Sequence, residues 1–327
     1  MTKGLKHRIL EMTKEDLEKV ETALENHLDP NLELVREIAS HLLFSGGKRL
    51  RPLLMIHSAR LCGYTAGFEI EFSTIFEYLH AATLLHDDVV DKADTRRGKK
   101  TAHTQWPAPK VILTGDFLLA LSLDLASRTQ QPKIISVIAG ITRDMSQGEI
   151  NQLGKKGKID LSETEYLDII EKKTAVLIRG ACQSGAILAN TSKERQEALR
   201  QYGFHTGMAF QMADDLLDYS GTKEALGKAP GADIREGKLT LPVIHSLCHA
   251  SPEDRTWMEK IITDTEFIPE QFDMFRDKLV RYKGIDYTRK CAQDHVKKAT
   301  RCLDGFEEGP SKELLCMIAE YSIERKV

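Results

Sequence analysis

Two copies of one acidic pattern are the features of this sequence most suited to chemistry. Each copy has aspartates at positions i, i+1 and i+4, and together they are Asp87, Asp88 and Asp91 in DDVVD and Asp214, Asp215 and Asp218 in DDLLD. On a helix, the first and last aspartates of each copy lie on one face, about one turn apart. Carboxylates crowded together without a counter-ion raise one another's pKa and destabilise a fold. Because hard divalent ions prefer oxygen ligands, the two copies predict Mg²⁺ sites in preference to zinc sites.

Basic side chains accompany both acidic patterns and stand beside glycine turns or predicted helix ends. They are Lys48, Arg49 and Arg51 after Gly46-Gly47, Arg96 and Arg97 after the first pattern, Lys172 and Lys173 before Thr174, and Lys228 and Lys238 after the second pattern. An isolated pair of lysines is usually a solvated surface. Arginine, however, can grip phosphate oxygens with two parallel hydrogen bonds, and lysine acts as a point charge. A basic rim around acidic metal sites therefore predicts a diphosphate held through Mg²⁺.

The elements that position these residues are predicted to be helices. Apolar residues repeat at helical spacing along nearly the whole chain, for example at Leu17, Val20, Leu24 and Leu28, whereas alternating strand patterns are almost absent. Aromatic residues make up only 6% of the sequence and charged residues 29%, which favours a Leu/Ala/Glu/Lys-rich helical protein over a sheet sandwich. No low-complexity linker divides the chain. We therefore predict one all-α domain over residues 1–327.

Composition also argues against several classes of function. The net charge is −3, so no basic excess indicates nucleic-acid binding. The six cysteines show neither a CxxC nor a His-paired spacing, which disfavours a disulfide framework or a zinc site and suits a reducing compartment. No apolar run approaches the roughly 18 residues of a membrane span. The expectation is a cytoplasmic protein without a membrane span.

Two other motif interpretations fail on detail. The segment 231–238 resembles a Walker loop, but five residues rather than four separate its glycines, and Leu239 replaces the required Ser or Thr. The pair His86-Asp87 resembles the centre of an HD phosphohydrolase, yet no further histidine-rich motif follows and the second acidic pattern would stay unexplained. Taken alone, His80 is predicted to be a core histidine.

Six segments, by their order and spacing, resemble one known family. They are GGKRLRP at 46–52, HAATLLHDDVVDKADTRRG at 80–98, GDFLLA at 115–120, KKT at 172–174, QMADDLLDY at 211–219 and GKAPGADIREGKLTLP at 227–242. The chain resembles the trans-isoprenyl diphosphate synthases, and among them the long-chain polyprenyl diphosphate synthases, from about Leu32 to its end. It departs from the family at Lys100, where proline is common, and in the unusual turn 106–109. Neither departure removes a charged residue of the motifs.

The resemblance implies a bundle of long helices around a deep central cavity, usually as a homodimer. It implies that as many as three Mg²⁺ ions are bound by the six aspartates, with Asp87, Asp88, Asp214, Lys173 and Lys228 as the catalytic residues. The diphosphate of an allylic substrate such as farnesyl diphosphate would contact Arg96, Lys173, Lys228 and Lys238. That of isopentenyl diphosphate would contact Lys48, Arg51, His80 and Arg97, which replaces the core assignment of His80. Gln211, Thr174 and Asp233 would complete the site.

The implied reaction is repeated condensation of isopentenyl diphosphate onto an allylic diphosphate. Product length is then a matter of packing beneath the reacting carbon. Ala82 and Thr83 precede Asp87 by about one helical turn, and a bulky ring there would stop growth early. Leu79 and Phe76 lie on the next turns, and Phe76 or the segment 118–123 is the predicted floor. Small residues at 82 and 83 predict hexaprenyl to octaprenyl products, which serve as quinone side chains.

Three alternatives share part of this pattern. A short-chain farnesyl or geranylgeranyl synthase keeps every catalytic residue and differs mainly near Ala82. A terpene cyclase shares one aspartate cluster, but its second metal site normally follows an Asn/Ser/Glu pattern rather than an intact DDLLD. A catalytically silent partner subunit typically lacks aspartates or basic residues that are all present here.

Overall fold

The structure, a computed structural model, is almost entirely helical and describes residues 4–29, 32–96, 98–220, 231–264 and 267–324. Its α-helices are α1 Leu5–Leu28, α2 Glu33–Leu43, α3 Leu50–Leu61, α4 Glu69–Ser73, α5 Ile75–Val90, α6 Ala108–Arg128, α7 Pro132–Lys155, α8 Glu163–Ile170, α9 Val176–Leu188, α10 Lys193–Ser220, α11 Ala232–Arg235, α12 Leu241–His249, α13 Pro252–Asp264, α14 Pro269–Arg281, α15 Gly284–Arg301 and α16 Pro310–Tyr321. The predicted all-α fold is confirmed. The single-domain organisation of residues 1–327 stays a prediction.

Three short elements were not predicted from the sequence. A two-stranded antiparallel hairpin pairs β1 Thr95–Arg96 with β2 Lys99–Lys100, and a 3₁₀ turn follows at Ala102–Thr104. Between α8 and α9 the helix widens to a π-helix at Glu171–Ala175. Short π segments inside longer helices often occur at functional sites.

The middle of the bundle is formed by α9, which packs on α3, α7 and α10, while α5 packs on α6. Nearly every residue of α9 is buried, as expected for a helix that is apolar on all sides. Gly185 allows the close crossing of α3, since a Cβ there would lie 2.5 Å from the carbonyl oxygen of Met55. Gly207 similarly brings α10 against Ala175 at the end of the π-helix, where a Cβ would lie 2.6 Å from the Ala175 Cα.

The buried apolar residues form three regions around this centre. The first joins α1–α7 and α9, the second joins α8, α10 and α12–α15, and the third joins α3, α9, α10, α15 and α16. Local sequence signals set several helix ends: Ser162 and Glu165, for example, form a capping box at the start of α8. Within the described ranges, no helix combines the length and apolar character needed to cross a bilayer.

Candidate active site

A cavity with a volume of about 840 Å³ opens between α3, α5, α7, the π-helix and α10. Many of the predicted site residues border it: Lys48, Arg51, His80, Thr83, Asp87, Arg96, Lys173, Thr174, Gln211 and Asp214. The far end of the chain also contributes, because Ile318 and Ser322 border the cavity and Lys48 Nζ lies 4.8 Å from the centre of the Tyr321 ring. Residues that are up to 276 positions apart in sequence thus meet around one space.

The first acidic pattern lies at the C-terminal end of α5. Asp87 borders the cavity, and burial together with the charge of Glu149 raises the pKa of Asp87 to about 6, although Lys173 and Arg96 oppose the rise. Asp88 is 1% exposed and accepts hydrogen bonds from Nε and Nη2 of Arg96, both at 2.8 Å. Asp88 is therefore paired with a neighbouring cation, whereas Asp87 borders the cavity as a half-buried carboxyl.

The second acidic pattern lies near the C-terminal end of α10. Asp214 borders the large cavity, and Asp215 borders an adjoining cavity with a volume of about 190 Å³. Asp215 accepts hydrogen bonds from the Tyr166 hydroxyl at 2.5 Å and from Gln211 Nε2 at 2.8 Å. Burial raises the pKa of Asp215 to about 7, and the charge of Asp233 adds to the rise. Asp218 accepts a hydrogen bond from the backbone amide of Asp233 at 3.1 Å, which anchors the start of α11.

Two lysines from other segments approach the first acidic pattern. Lys238, which follows the second pattern, places Nζ 4.0 Å from Asp91 Oδ2, and Lys156 Nζ lies 3.9 Å from Asp91 Oδ1. The segment after the second pattern therefore reaches the first pattern. In addition, Asp87 of the first pattern and Asp214 of the second border the same cavity.

The π-helix presents Lys173 and Thr174 to both cavities. Lys173 Nζ forms an ion pair with Glu149 Oε2 at 2.6 Å and donates a hydrogen bond to Gln152 Oε1 at 2.5 Å. The Thr174 hydroxyl donates to Gln211 Oε1 at 2.7 Å. These bonds tie Lys173 to α7 and Thr174 to α10, and the charge of Lys173 acts on Asp87 of the first acidic pattern.

A sequence model described as Polyprenyl synthetase matches residues 32–274. The chain belongs to the polyprenyl synthetase family. It is 34% identical over 310 residues to octaprenyl diphosphate synthase of Haemophilus influenzae, covering 95% of this chain and 94% of the relative. It is also 34% identical, over 300 residues, to a short chain isoprenyl diphosphate synthase of Methanothermobacter thermautotrophicus, covering 90% of this chain and 91% of the relative.

Solved structures agree with this family membership. The polyprenyl synthase of Caulobacter crescentus, solved with calcium and isoprenyl diphosphate, superposes with a TM-score of 0.92 at 35% identity and covers 98% of both chains. The resemblance drawn from the sequence is confirmed, and so is the enzyme class: this member of the polyprenyl synthetase family is a prenyltransferase.

Not every predicted site residue of this family member lies in the open cavity. Asp88, Asp91 and Asp218 do not border either described cavity, and Lys238 borders only the smaller one. Arg97 and Lys228 lie outside the described residues. The individual roles assigned to these residues stay predictions.

The predicted chain-length residues divide in the same way. Thr83 borders the large cavity. Ala82, Leu79 and Phe76 are at most 1% exposed and belong to the apolar core that α5 shares with α6, α7 and α9; neither described cavity reaches them. Their effect on product length therefore stays a prediction, and it requires the pocket to extend along α5 when it is filled.

Three polar residues of this site were not predicted from the sequence: Glu149, Gln152 and Tyr166. Glu149 and Gln152 lie three residues apart in GEINQ on α7, hence on one face, and both contact Lys173. The sequence signal for Glu149 and Gln152 was a pair of polar residues on one face of a helix that also carries buried apolar residues. Tyr166 had none, because its hydroxyl meets Asp215, 49 residues later, only through the packing of α8 on the end of α10.

Proposed function

We propose that this chain is an all-trans long-chain polyprenyl diphosphate synthase. It adds isopentenyl diphosphate repeatedly to an allylic primer, farnesyl diphosphate, and releases hexaprenyl to octaprenyl diphosphates that become quinone side chains. Mg²⁺ is the metal, and the active form is a homodimer in the cytoplasm. The six cysteines are all free, which suits a reducing compartment.

One observation carries the proposal: one aspartate of each acidic pattern, Asp87 and Asp214, borders the same cavity as a set of cations and a group of apolar side chains. The apolar lining residues are Leu50, Leu54, Leu84, Val90, Met145, Leu177, Ile178, Phe210 and Ile318. Charged groups suited to a diphosphate thus stand beside a pocket suited to a hydrocarbon. Such an arrangement can ionise an allylic C–O bond at the mouth and keep water from the carbocation below.

The donor set fits a hard divalent ion. The side chains of the two patterns supply only carboxylate oxygens, from Asp87, Asp88, Asp91, Asp214, Asp215 and Asp218. The pKa values of Asp87 and Asp215 are raised, and a bound cation would stabilise the charged form of both carboxyls. In the described ranges, no three His, Cys, Asp or Glu side chains form a ready-made metal cage. Mg²⁺ is usually bound by one or two carboxylates plus substrate phosphates, so a cage is not required. When bound, the ion supplies Lewis-acid stabilisation of charge on the leaving diphosphate.

The side chains divide the remaining work. Arg96, Lys173 and Lys238, with Lys228, bind the allylic diphosphate and stabilise the charge that develops as it leaves. Lys48, Arg51 and His80, with Arg97, orient isopentenyl diphosphate so that its double bond faces the cation. Gln211, Thr174 and Asp233 complete the hydrogen bonding. The proton lost after bond formation passes to the departed diphosphate, and the product is again allylic.

A short-chain synthase is the second candidate, and two observations favour it. One relative that is 34% identical is named a short chain isoprenyl diphosphate synthase. In addition, Ala82, Leu79 and Phe76 are packed in the core instead of bordering the cavity. The small side chains at 82 and 83, and the similarity to an octaprenyl synthase, support long products.

The homodimer is supported by an exposed apolar surface on α6 and α7. Its large residues are Ile112, Leu113, Leu123, Ile135, Ile150 and Leu153, between 38% and 67% exposed. A surface of this kind on two long neighbouring helices fits a helix-on-helix interface with a second copy.

The proposal is tested by incubating the purified chain with Mg²⁺, labelled isopentenyl diphosphate and farnesyl diphosphate, and then sizing the dephosphorylated products by reverse-phase chromatography. We expect hexaprenyl to octaprenyl products, and we expect Asp87→Ala to lower kcat/KM by a hundredfold or more, on the order of losing a major electrostatic contribution. Products that end at geranylgeranyl length would establish the short-chain alternative. No condensation by the wild-type chain would contradict both.

A further inference from the structure

Arg49 is buried, whereas Lys48 and Arg51, which lie close to it in sequence, border the cavity. Only 5% of Arg49 is exposed, and its backbone lies in the left-handed region with φ of 47°. A residue other than glycine seldom adopts this conformation, and it persists where the surroundings fix it. The contacts of the Arg49 side chain identify what fixes it.

The Arg49 guanidinium joins three elements. Nε and Nη2 donate hydrogen bonds to the two carboxylate oxygens of Glu21 on α1, at 2.7 and 3.1 Å. Nη1 donates to Glu77 Oε2 on α5 at 3.0 Å, and Nη2 also donates to the carbonyl of Leu43 at the end of α2, at 2.7 Å. Since its donors are engaged by protein carboxylates, Arg49 is not available to bind a diphosphate, even though it lies at the cavity wall.

Glu77 connects this contact to the site. It precedes His80 by three residues on α5, so both lie on one face of the helix, and both border the cavity. Lys48 lies in loop 44–49 directly before Arg49, and Arg51 lies in the first turn of α3 just after it. The Arg49–Glu77 bond therefore sets the spacing between these two cations and the imidazole on α5.

We propose that Arg49 is a positioning residue for isopentenyl diphosphate: it clamps the junction of loop 44–49 and α3 to α5, so that Lys48 and Arg51 stand at the distance from His80 that one diphosphate requires. The inference rests on the proposed function, because it assumes that these three side chains bind that diphosphate. A preformed arrangement lowers the cost of binding, since the loop does not have to be ordered by the substrate.

A second arginine, Arg60 at the other end of α3, offers a matched control. Arg60 on α3 also bridges two carboxylates, with Nη1 and Nη2 at 2.8 and 2.9 Å from Asp16 on α1, and Nε at 3.2 Å from Glu69. It does not border the described cavities. Arg60→Lys thus weakens a similar, half-buried fork without touching the site, because lysine cannot reproduce the planar two-pronged geometry.

The test compares Arg49→Lys with Arg60→Lys by initial-rate kinetics and thermal melting. For Arg49→Lys we expect the KM for isopentenyl diphosphate to rise roughly tenfold, as small misplacements of binding groups do, while the KM for the allylic substrate stays near the wild-type value. For Arg60→Lys we expect a lower melting temperature with both KM values unchanged. Glu77→Gln, which keeps an oxygen acceptor for Arg49, should give a smaller rise and serves if Arg49→Lys does not fold.

The outcomes separate the inference from the function on which it rests. Lys48→Ala reports on the loop itself: if it leaves the KM for isopentenyl diphosphate unchanged, the loop does not bind that substrate and the positioning role falls with it. If Lys48→Ala raises that KM but Arg49→Lys and Glu77→Gln do not, only the positioning role is overturned. Equal rises in both KM values for Arg49→Lys would also overturn it, because a general loss of structure would then account for the defect.

Discussion

At the scale of single residues, burial changes the titration of two carboxyls, those of Asp87 and Asp215. Burial is the main cause that raises their pKa values from 3.8 to about 6 and about 7. Because the raised pKa favours the folded state only in the protonated form, the metal-free protein loses stability as pH rises from near 4 through 7. Metal binding requires the deprotonated form and therefore releases protons.

This sign gives a pH prediction. We expect Mg²⁺ to raise the melting temperature more at roughly pH 8 than at roughly pH 6, since fewer protons compete with the ion at the higher pH. Thermal melting with and without Mg²⁺ at both pH values measures the difference, and Asp215→Asn, which cannot titrate, should reduce it. An equal Mg²⁺ effect at both pH values would contradict the assignment of these carboxyls to the metal.

Ala82 and Thr83 allow a prediction of product length. A phenylalanine at either position would place a ring across the route of a chain growing along α5, so Ala82→Phe and Thr83→Phe should shift products toward farnesyl and geranylgeranyl lengths. Thr83 borders the cavity and Ala82 lies in the core behind it, so Ala82→Phe should also lower stability, by about 1–3 kcal/mol for overpacking. Reverse-phase chromatography of the dephosphorylated products measures the product lengths of both variants. Shortening by Thr83→Phe alone would show that the pocket does not extend past the described wall.

At the scale of elements, the π-helix Glu171–Ala175 is shaped by its neighbour α7. Gly148 of α7 lies so close that a Cβ there would be 2.9 Å from both Lys172 Cβ and Lys173 N. The missing side chain lets the π-helix approach, and this approach brings Lys173 to Glu149 and Gln152. A glycine in the middle of a helix is otherwise unfavourable.

We therefore expect Gly148→Ala to displace the π-helix and to lower kcat/KM by roughly tenfold or more. Gly140, on the same helix, is the matched control, because nothing lies within 4 Å of a Cβ at that position. Gly140→Ala should keep full activity and gain about 0.5–1 kcal/mol in the free energy of unfolding. Steady-state kinetics and denaturant unfolding of the two variants provide the comparison, and equal activities would show that the π-helix tolerates movement.

The sequence predicted the helices better than their irregularities. Apolar spacing fixes which residues face a core, so the long helices and the acidic patterns at the ends of α5 and α10 could be inferred before the structure. The π-helix could not, because it packs closely on Gly148, which lies more than 20 residues earlier in the sequence. The same holds for Asp88, whose pairing with Arg96 depends on the turn of a short hairpin. Spacing brings residues to a site, but packing decides which of them face the cavity.

At the scale of the whole molecule, the exposed apolar surface of α6 and α7 predicts self-association. We expect the wild-type chain to elute as a dimer in size exclusion with light scattering, and Leu113→Asp, at a residue that is 65% exposed, to give a monomer. Met274→Asp on α14 also replaces an exposed apolar side chain, here 53% exposed, with a charged one. It lies outside α6 and α7 and should leave the dimer intact. A monomeric wild-type chain, or dissociation by both variants, would contradict the interface.

The last helix has a consequence for how the enzyme is made. Because Ile318, Ser322 and the ring of Tyr321 help to enclose the cavity, its wall is incomplete until α16 has packed. During synthesis, the aspartates and the apolar residues of the cavity emerge from the ribosome well before α16, which completes the cavity wall. A nascent chain would thus hold an open apolar cleft until α16 has emerged and packed, and such exposed apolar surface favours aggregation and chaperone binding.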